Sequence, residues 1–554
     1  MAKRILLTGV FGPFGVDDEF GRRENIMELF HNQVTKAQGV ASIRYHHRSF
    51  GLYFLAENVS APVTVLDFPS RARFEKVLRS ERFDAVGISF IVPNVSKARE
   101  MARMVRRIQP EAEIILGGHG TAIEGIESMI DCDHVVRGEG ISWLRRYCGD
   151  DPAAPIRHPS LPSTERKRVF GIPVPGTTGL LVPGVGCVNG CRFCATSHFF
   201  DRSYSAFSVT GEQLFRNACQ ISEEIGCNEF FVMDENFLKS RDRALDLLAR
   251  MEREKKAFNF GIFSSAEAID AFGIANMVRL GVFFVWIGAE SRAEVYEKNK
   301  GRDLKKLVRD LRDAGIAVLV SGILFSEQHT PENVWDDIDY IIDLGGDLTQ
   351  FMQLTPLPGT KLYFDKKDKG LLDFDLPYEE WHGQHLLNWR HPAFTRGQTQ
   401  RILADAFRAE FDRNSSSLYR MTDTTLRGYR ALEEEAKHDP WLAIRRDQLR
   451  ERSAELRLLL PTFRRFAHDA TEAARVRKLD RDLGDALGPL SLVDRAKGVA
   501  GRLLAEAYAL RFALGQDRDQ PKTIVTLYRQ EGAVAIETGE GAGGAASVEE
   551  SEAA

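Results

Sequence analysis

Gly186-Cys187-Val188-Asn189-Gly190-Cys191-Arg192-Phe193-Cys194 sets three cysteines on one short, glycine-flanked stretch. The spacing is C-x3-C-x-aromatic-C. Thiolates of Cys187, Cys191 and Cys194 can ligate three irons of a 4Fe–4S cube and leave the fourth iron without a protein ligand. An open iron can bind a small molecule and pass it an electron. A structural zinc is the other chemistry that three close cysteines support, with His198 as a fourth ligand. Asn189, Gly190 and Arg192 between the cysteines are poor core residues, which argues against inert buried thiols. Cys132, Cys148, Cys219 and Cys227 are scattered and read as ordinary reduced thiols.

Working outward, residues 177–370 contain six strand-like runs, each followed by a helical stretch. They lie near Leu180–Pro183, Glu229–Met233, Phe258–Ser264, Val282–Gly288, Ile316–Leu324 and Thr349–Thr355. Six such units predict a partial (β/α)6 barrel. The cysteine loop follows the first strand, at the carboxyl end where barrel chemistry sits. On the cysteine motif and this placement the chain resembles the radical S-adenosylmethionine (SAM) enzymes. The resemblance implies that the amino and carboxylate groups of SAM chelate the open iron. One electron then cleaves SAM to methionine and a 5′-deoxyadenosyl radical. It also implies cofactor contacts at later strand ends. Asp234, Glu235 and Asn236 follow the second strand and suit the SAM ammonium, while Ser264 ends the third. Glu290 and Ser291 belong to a G-x-E-S-like stretch, Pro356 lies in the segment expected beside the adenine, and Phe193 is placed near the adenine or under the loop. An ordinary loop or helix cap is the competing reading at each position.

Residues 1–150 alternate short apolar runs (Arg4–Thr8, Val63–Asp67, Ala85–Phe90, Glu113–Gly117 and His134–Arg137) with amphipathic stretches at Arg73–Arg82 and Val95–Ile108. This alternation predicts a doubly wound parallel sheet with helices on both faces. Ligands in such sheets bind at the carboxyl ends of the strands, and the strand-end loops here are rich in glycine. Gly51–Ala56, the strand ending at Asp67, Asp84–Ser89, Leu116–Gly120 and Val136–Glu139 resemble in order the cobalamin-binding domain that precedes many radical SAM domains. The resemblance implies cobalamin contacts from Gly12, Ser89, Phe90, Pro93, Gly117, Gly118, Gly120, Arg137, Gly138 and Glu139. The D-x-H-x-x-G signature is absent, which implies cobalamin bound with its own base displaced and no histidine below the cobalt. A degenerate domain that has lost cobalamin is the competing reading.

A proline-rich linker is expected over 151–176, a mostly α-helical region over 371–535, and a disordered acidic tail over 536–554. Pro461 should start a new helix or kink one. Arg445, Arg446, Arg450, Arg452, Arg457, Arg464 and Arg465 make the helical region basic. They form a solvated face, or a site for an anionic headgroup or membrane surface. Trp381, His382, Trp389, His391 and Phe394 floor a substrate pocket or bury the barrel's open side. A net charge of −5 with 28% charged residues gives no basic excess for nucleic acid. The longest apolar stretch is too short to span a bilayer, so a cytoplasmic protein with at most peripheral membrane contact is expected. The family resemblance implies a cobalamin-dependent radical SAM methyltransferase and an electron donor such as flavodoxin or ferredoxin; the basic, apolar C-terminal helices alone lean toward a lipid or other hydrophobic metabolite as substrate. A non-methylating radical SAM oxidoreductase, cyclase or rearranging enzyme is the rival, and a metal-stabilised sensing protein the non-enzymatic alternative. No residue is assigned a catalytic proton transfer.

Overall fold

The computed structural model describes residues 3–12, 34–39, 43–44, 48–164, 168–169, 172–173, 177–292, 299–514, 524–529 and 532–537. The first segment builds strands β1 (Ile5–Thr8), β2 (Val63–Asp67), β3 (Ala85–Ser89), β4 (Glu113–Gly117) and β5 (His134–Val135). They run parallel in the order β2-β1-β3-β4-β5. Their apolar runs are buried on both sides, as parallel strands between helix layers require. Chain order reverses at β1, so a crevice opens beyond the carboxyl ends of β1 and β3. The helix Arg71–Ser80 is capped by Ser70, whose side chain accepts from the Arg73 amide, and Val95–Ile108 packs its apolar face on the sheet.

The second sheet holds β6 (Thr178–Leu181), β7 (Glu229–Val232), β8 (Asn259–Phe263), β9 (Val282–Glu290), β10 (Ala317–Leu324) and β11 (Leu348–Gln353). Sequential neighbours pair in parallel throughout, giving a curled half-barrel. The linker is partly structured: Pro162–Thr164 lies antiparallel to β6, at an edge where a proline costs no ladder hydrogen bond. Residues 165–167, 170–171 and 174–176 of that linker lie outside the described residues.

The C-terminal region is mostly helical, with one departure. Strands β12 (Ile524–Arg529) and β13 (Gly532–Glu537) form a hairpin that adds to the edge of β2 in the first sheet. Ile536 and Glu537 therefore close a strand, and 538–554 of the expected tail lie outside the described residues. Pro461 sits in the first turn of the helix Leu460–Arg465, where its missing N–H is harmless. The helix Ser417–Ala431 meets the barrel at bare backbone: a Cβ on Gly428 would come within 2.3 Å of the Gly315 Cα.

Candidate functional site

A cavity of about 450 Å³ lies between the two sheets. Its floor comes from the carboxyl ends of the first sheet: Leu7 and Val10 at the end of β1, Phe68 after β2, Ser89 and Phe90 at the end of β3, Gly117 to His119 at the end of β4. Its roof comes from the half-barrel: Gly184 to Gly186 leading into the cysteine loop, Thr196, Phe199 and Phe200 leaving it, and Met233 to Glu235 after β7. Several of the sheet loops expected to meet cobalamin thus face the same space as the flanks of the cysteine loop and the acidic stretch after β7.

The cysteine loop is built by local constraints. Gly186 has φ +95 and a Cβ there would meet the Ser203 carbonyl at 2.3 Å, so glycine is required at the loop entrance. Ser197 staples the loop, donating from its hydroxyl to the Cys187 carbonyl at 2.8 Å and accepting from the Gly190 amide at 3.0 Å. The Cys194 amide donates to the Cys191 carbonyl at 3.0 Å. From outside, the Arg192 guanidinium donates to Glu327 at 3.1 Å and the Leu362 amide to the Arg192 carbonyl at 2.9 Å. Glu327 also accepts from the buried Lys366 ammonium, which stands 3.5 Å from the Trp389 ring centroid. Burial raises the Cys187 thiol and pushes Cys194 up to about 12. A bound cation is what would hold such thiols as thiolates, which fits iron ligation. His198 interacts with the Cys191 backbone, and no three His, Cys, Asp or Glu side chains among the described residues converge on a single-ion position, whereas a cube takes its three thiolates on three separate irons.

The acidic stretch after β7 splits into three roles. Asp234 is committed: its carboxylate accepts from Arg243 at 2.7 Å and from the Tyr204 hydroxyl at 2.6 Å, with both members of the ion pair buried. Asn236 is committed as well, its amide oxygen accepting from the Ser265 amide and the Ser264 hydroxyl and its nitrogen donating to Ser265. Glu235 differs. It lines the cavity, its hydroxyl partner is Thr196, and burial raises its pKa. A buried carboxylate of that kind is suited to a cationic ligand. Ser264 is held by Asn236, Ser291 donates to Asp337, and the Pro356 carbonyl accepts from Asn388 at 3.0 Å. Glu290 is buried at φ +63, and Phe193 packs against the main core. None of Phe193, Asn236, Ser264, Glu290, Ser291 and Pro356 lines the cavity.

On the other side, Ser89, Phe90, Gly117, Gly118, Gly138 and Glu139 line the cavity. A Cβ on Gly117 would meet nothing within 4 Å, so this backbone lies open to a ligand. Gly118 and Gly120 are needed for another reason: Cβ atoms there would strike the Phe90 backbone at 2.6 Å and the Phe90 ring at 2.2 Å. Gly12, Pro93 and Arg137 do not line the cavity. Arg137 pairs with Glu127 at 2.8 Å and donates to the Thr121 carbonyl, while Glu139 also caps the helix Ile141–Cys148 through the Ile141 and Ser142 amides. Sequence reasoning missed His119. Its ring stacks on Phe199 with centroids 4.4 Å apart, its buried Nε2 has no partner among the described residues, and burial pushes its pKa down to about 4. An imidazole held neutral, with one nitrogen unpaired at a cavity wall, fits a polar ligand such as a corrin amide. The signal was the polar residue inside Gly117-Gly118-His119-Gly120.

The expected substrate floor is closed. Trp381 and Trp389 are buried, donating to the Leu376 and Leu354 carbonyls, and His391 contacts the Ser326 carbonyl. They bury the barrel's open side. The basic cluster is largely structural. Arg445 is buried and donates to the Phe258, Arg279 and Leu280 carbonyls, closing a helix end, while Arg452 pairs with Glu229 and Arg457 with Asp480.

Comparison with known proteins agrees with this layout. Residues 38–146 match the B12 binding domain and residues 181–341 the radical SAM superfamily. An uncharacterized methyltransferase of Pyrococcus horikoshii is 23% identical over 52% of this chain and 70% of its own length. Bacteriochlorophyllide d C-8(2)-methyltransferase of Chlorobaculum tepidum is 23% identical over 56% of this chain and 74% of its own. The radical SAM methyltransferase TsrM of Kitasatospora setae, solved with cobalamin and a 4Fe–4S cluster, shares the fold: TM-score 0.52 and 16% identity, over 82% of this chain and 100% of that one.

Proposed function

We propose that this chain, a radical SAM protein with a cobalamin-binding domain, methylates an unactivated carbon of a hydrophobic metabolite or lipid. The observation that supports the reading is the single cavity onto which the glycine-rich sheet loops, the flanks of the cysteine loop and Glu235 all open. When bound, the three cofactors supply a SAM-derived carbon radical and a methyl group carried on cobalt. The chain's own residues do the positioning. Cys187, Cys191 and Cys194 hold the cluster, and Ser197 fixes their loop. Glu235 takes the SAM ammonium, with Asp234, Arg243 and Tyr204 keeping its backbone in place. The Gly117–Gly118 backbone and His119 face the corrin. Phe68, Phe90, Phe199 and Phe200 keep water from the wall between the two sites, as radical chemistry requires. A cytoplasmic protein reduced by a flavodoxin or ferredoxin suits this chemistry.

The test is anaerobic turnover of the reconstituted protein with a lipid and metabolite extract of a deletion strain. S-adenosylhomocysteine formed together with 5′-deoxyadenosine, and a product heavier by one CH2, is the expected result. 5′-Deoxyadenosine without S-adenosylhomocysteine would reject methyl transfer in favour of another radical reaction.

A further inference from the structure

The helix Leu492–Ala513 is built inside out. Two small residues meet the bundle on its inner side. Ala505 is fully buried among Leu460, Phe463 and Leu483 of the C-terminal bundle, and Gly498 lies against Leu458 and Pro461. Large apolar residues on the opposite side are exposed: Leu492 83%, Val499 47%, Leu503 53% and Leu510 63%, with Leu514 63% just past the helix end. Their seven-four-seven-four spacing lines them up along one side of a helix. Soluble chains rarely leave a continuous apolar stripe of this length in water. No described helix is long and apolar enough to cross a membrane.

Charge identifies what covers the stripe. Arg495 and Arg502 edge it on one side and Arg511 on the other. The helix's own acids are already used, Glu506 by Arg465 at 2.8 Å and Asp494 by Lys497 at 3.4 Å. Arg495, Arg502 and Arg511 are in no ion pair with a described residue. A second copy docked stripe to stripe would bring like charges together along both edges, whereas anionic headgroups would pair with them. We propose that this helix lies in the interface of an anionic lipid bilayer, its leucine stripe among the acyl chains and its arginines at headgroup level. The enzyme is then a peripheral membrane protein by a surface separate from its cofactor cavity.

The test is co-sedimentation of the full-length protein with phosphatidylcholine vesicles, with and without phosphatidylglycerol. Binding that needs phosphatidylglycerol and weakens with salt is expected. Leu503→Glu with Leu510→Glu should lower the partition coefficient by about tenfold or more. Arg495→Gln with Arg502→Gln, which leaves the stripe intact, should remove most of the phosphatidylglycerol dependence. Unchanged circular dichroism melts show that the variants are folded, and Leu492→Glu serves if the double leucine variant is not. No binding by the wild-type protein, or binding unaffected in folded variants, overturns the proposal. So does a concentration-dependent dimer in light scattering that Leu503→Glu dissolves, which would give the stripe to a second copy.

Discussion

Asp234 and Glu235 are adjacent carboxylates, and the structure gives them opposite sensitivities. Asp234→Asn removes the negative partner of Arg243, whose guanidinium stays buried with the Tyr204 hydroxyl and the Ser208 carbonyl as remaining acceptors. Breaking a buried pair from one side costs about 3–5 kcal/mol, because the surviving charge is uncompensated. For a barrel unfolding as a unit of about 200 residues, that lowers the melting temperature by roughly 6–20 °C. Replacing both members, as Asp234→Asn with Arg243→Met, should recover most of the loss, since the unpaired charge is gone. Glu235→Gln removes no cation's partner and relieves a desolvated carboxylate, so the melt should be unchanged or higher. SAM affinity should fall instead, by about a hundredfold, for the loss of about 3 kcal/mol of charge-assisted bonding to the ammonium. Burial raises the Glu235 pKa. SAM binding to the wild type should therefore weaken as pH falls through that raised value, with a proton released on binding near and below it. Glu235→Gln should lose this pH dependence. Isothermal titration with the cluster-loaded protein and differential scanning calorimetry measure both quantities. Unchanged SAM affinity in Glu235→Gln, together with weakened affinity and an unchanged melt in Asp234→Asn, would refute the division of roles.

Three further outcomes follow from the geometry. Cys187→Ala, Cys191→Ala and Cys194→Ala combined should abolish the 4Fe–4S cluster, read as loss of iron and of the brown absorbance after anaerobic reconstitution. Cobalt(II) of bound cobalamin should give single, unsplit lines in electron paramagnetic resonance, because the chain lacks the D-x-H-x-x-G signature; His119→Ala should weaken cobalamin binding about tenfold, for one lost hydrogen bond, without changing the line pattern, and nitrogen splitting that vanishes in His119→Ala would reverse this assignment. Asp67 is fully buried, and desolvation raises its pKa to about 6. A raised carboxylate contributes stability that is fully present below about pH 4 and lost as pH rises through about 6, up to about 3 kcal/mol; melts of Asp67→Asn across pH 4 to 8 should show that slope flattened.

The sequence by itself determined the elements and the cofactor chemistry. Strand runs such as Val63–Asp67 and Glu113–Gly117, and the helix Val95–Ile108, were legible because hydrophobic period is a local property. The cysteine loop was legible because its three cysteines and its glycine hinge sit within a few residues. Tertiary structure decided which of several equivalent groups is free. Asp234 and Glu235 look alike in the chain, and only Tyr204 and Arg243, brought in from other elements, separate the committed carboxylate from the available one. Arg445 looked like a solvated or anion-binding cation until the carbonyls of Phe258, Arg279 and Leu280 closed around it. The β12–β13 hairpin joins a strand far away in sequence, an edge pairing that local alternation around Ile524–Tyr528 does not specify. The outward face of Leu492–Leu514 likewise depends on Gly498 and Ala505 facing inward. Periodicity marks a stripe, but which side of a helix meets the core is set by the close approach of its neighbours.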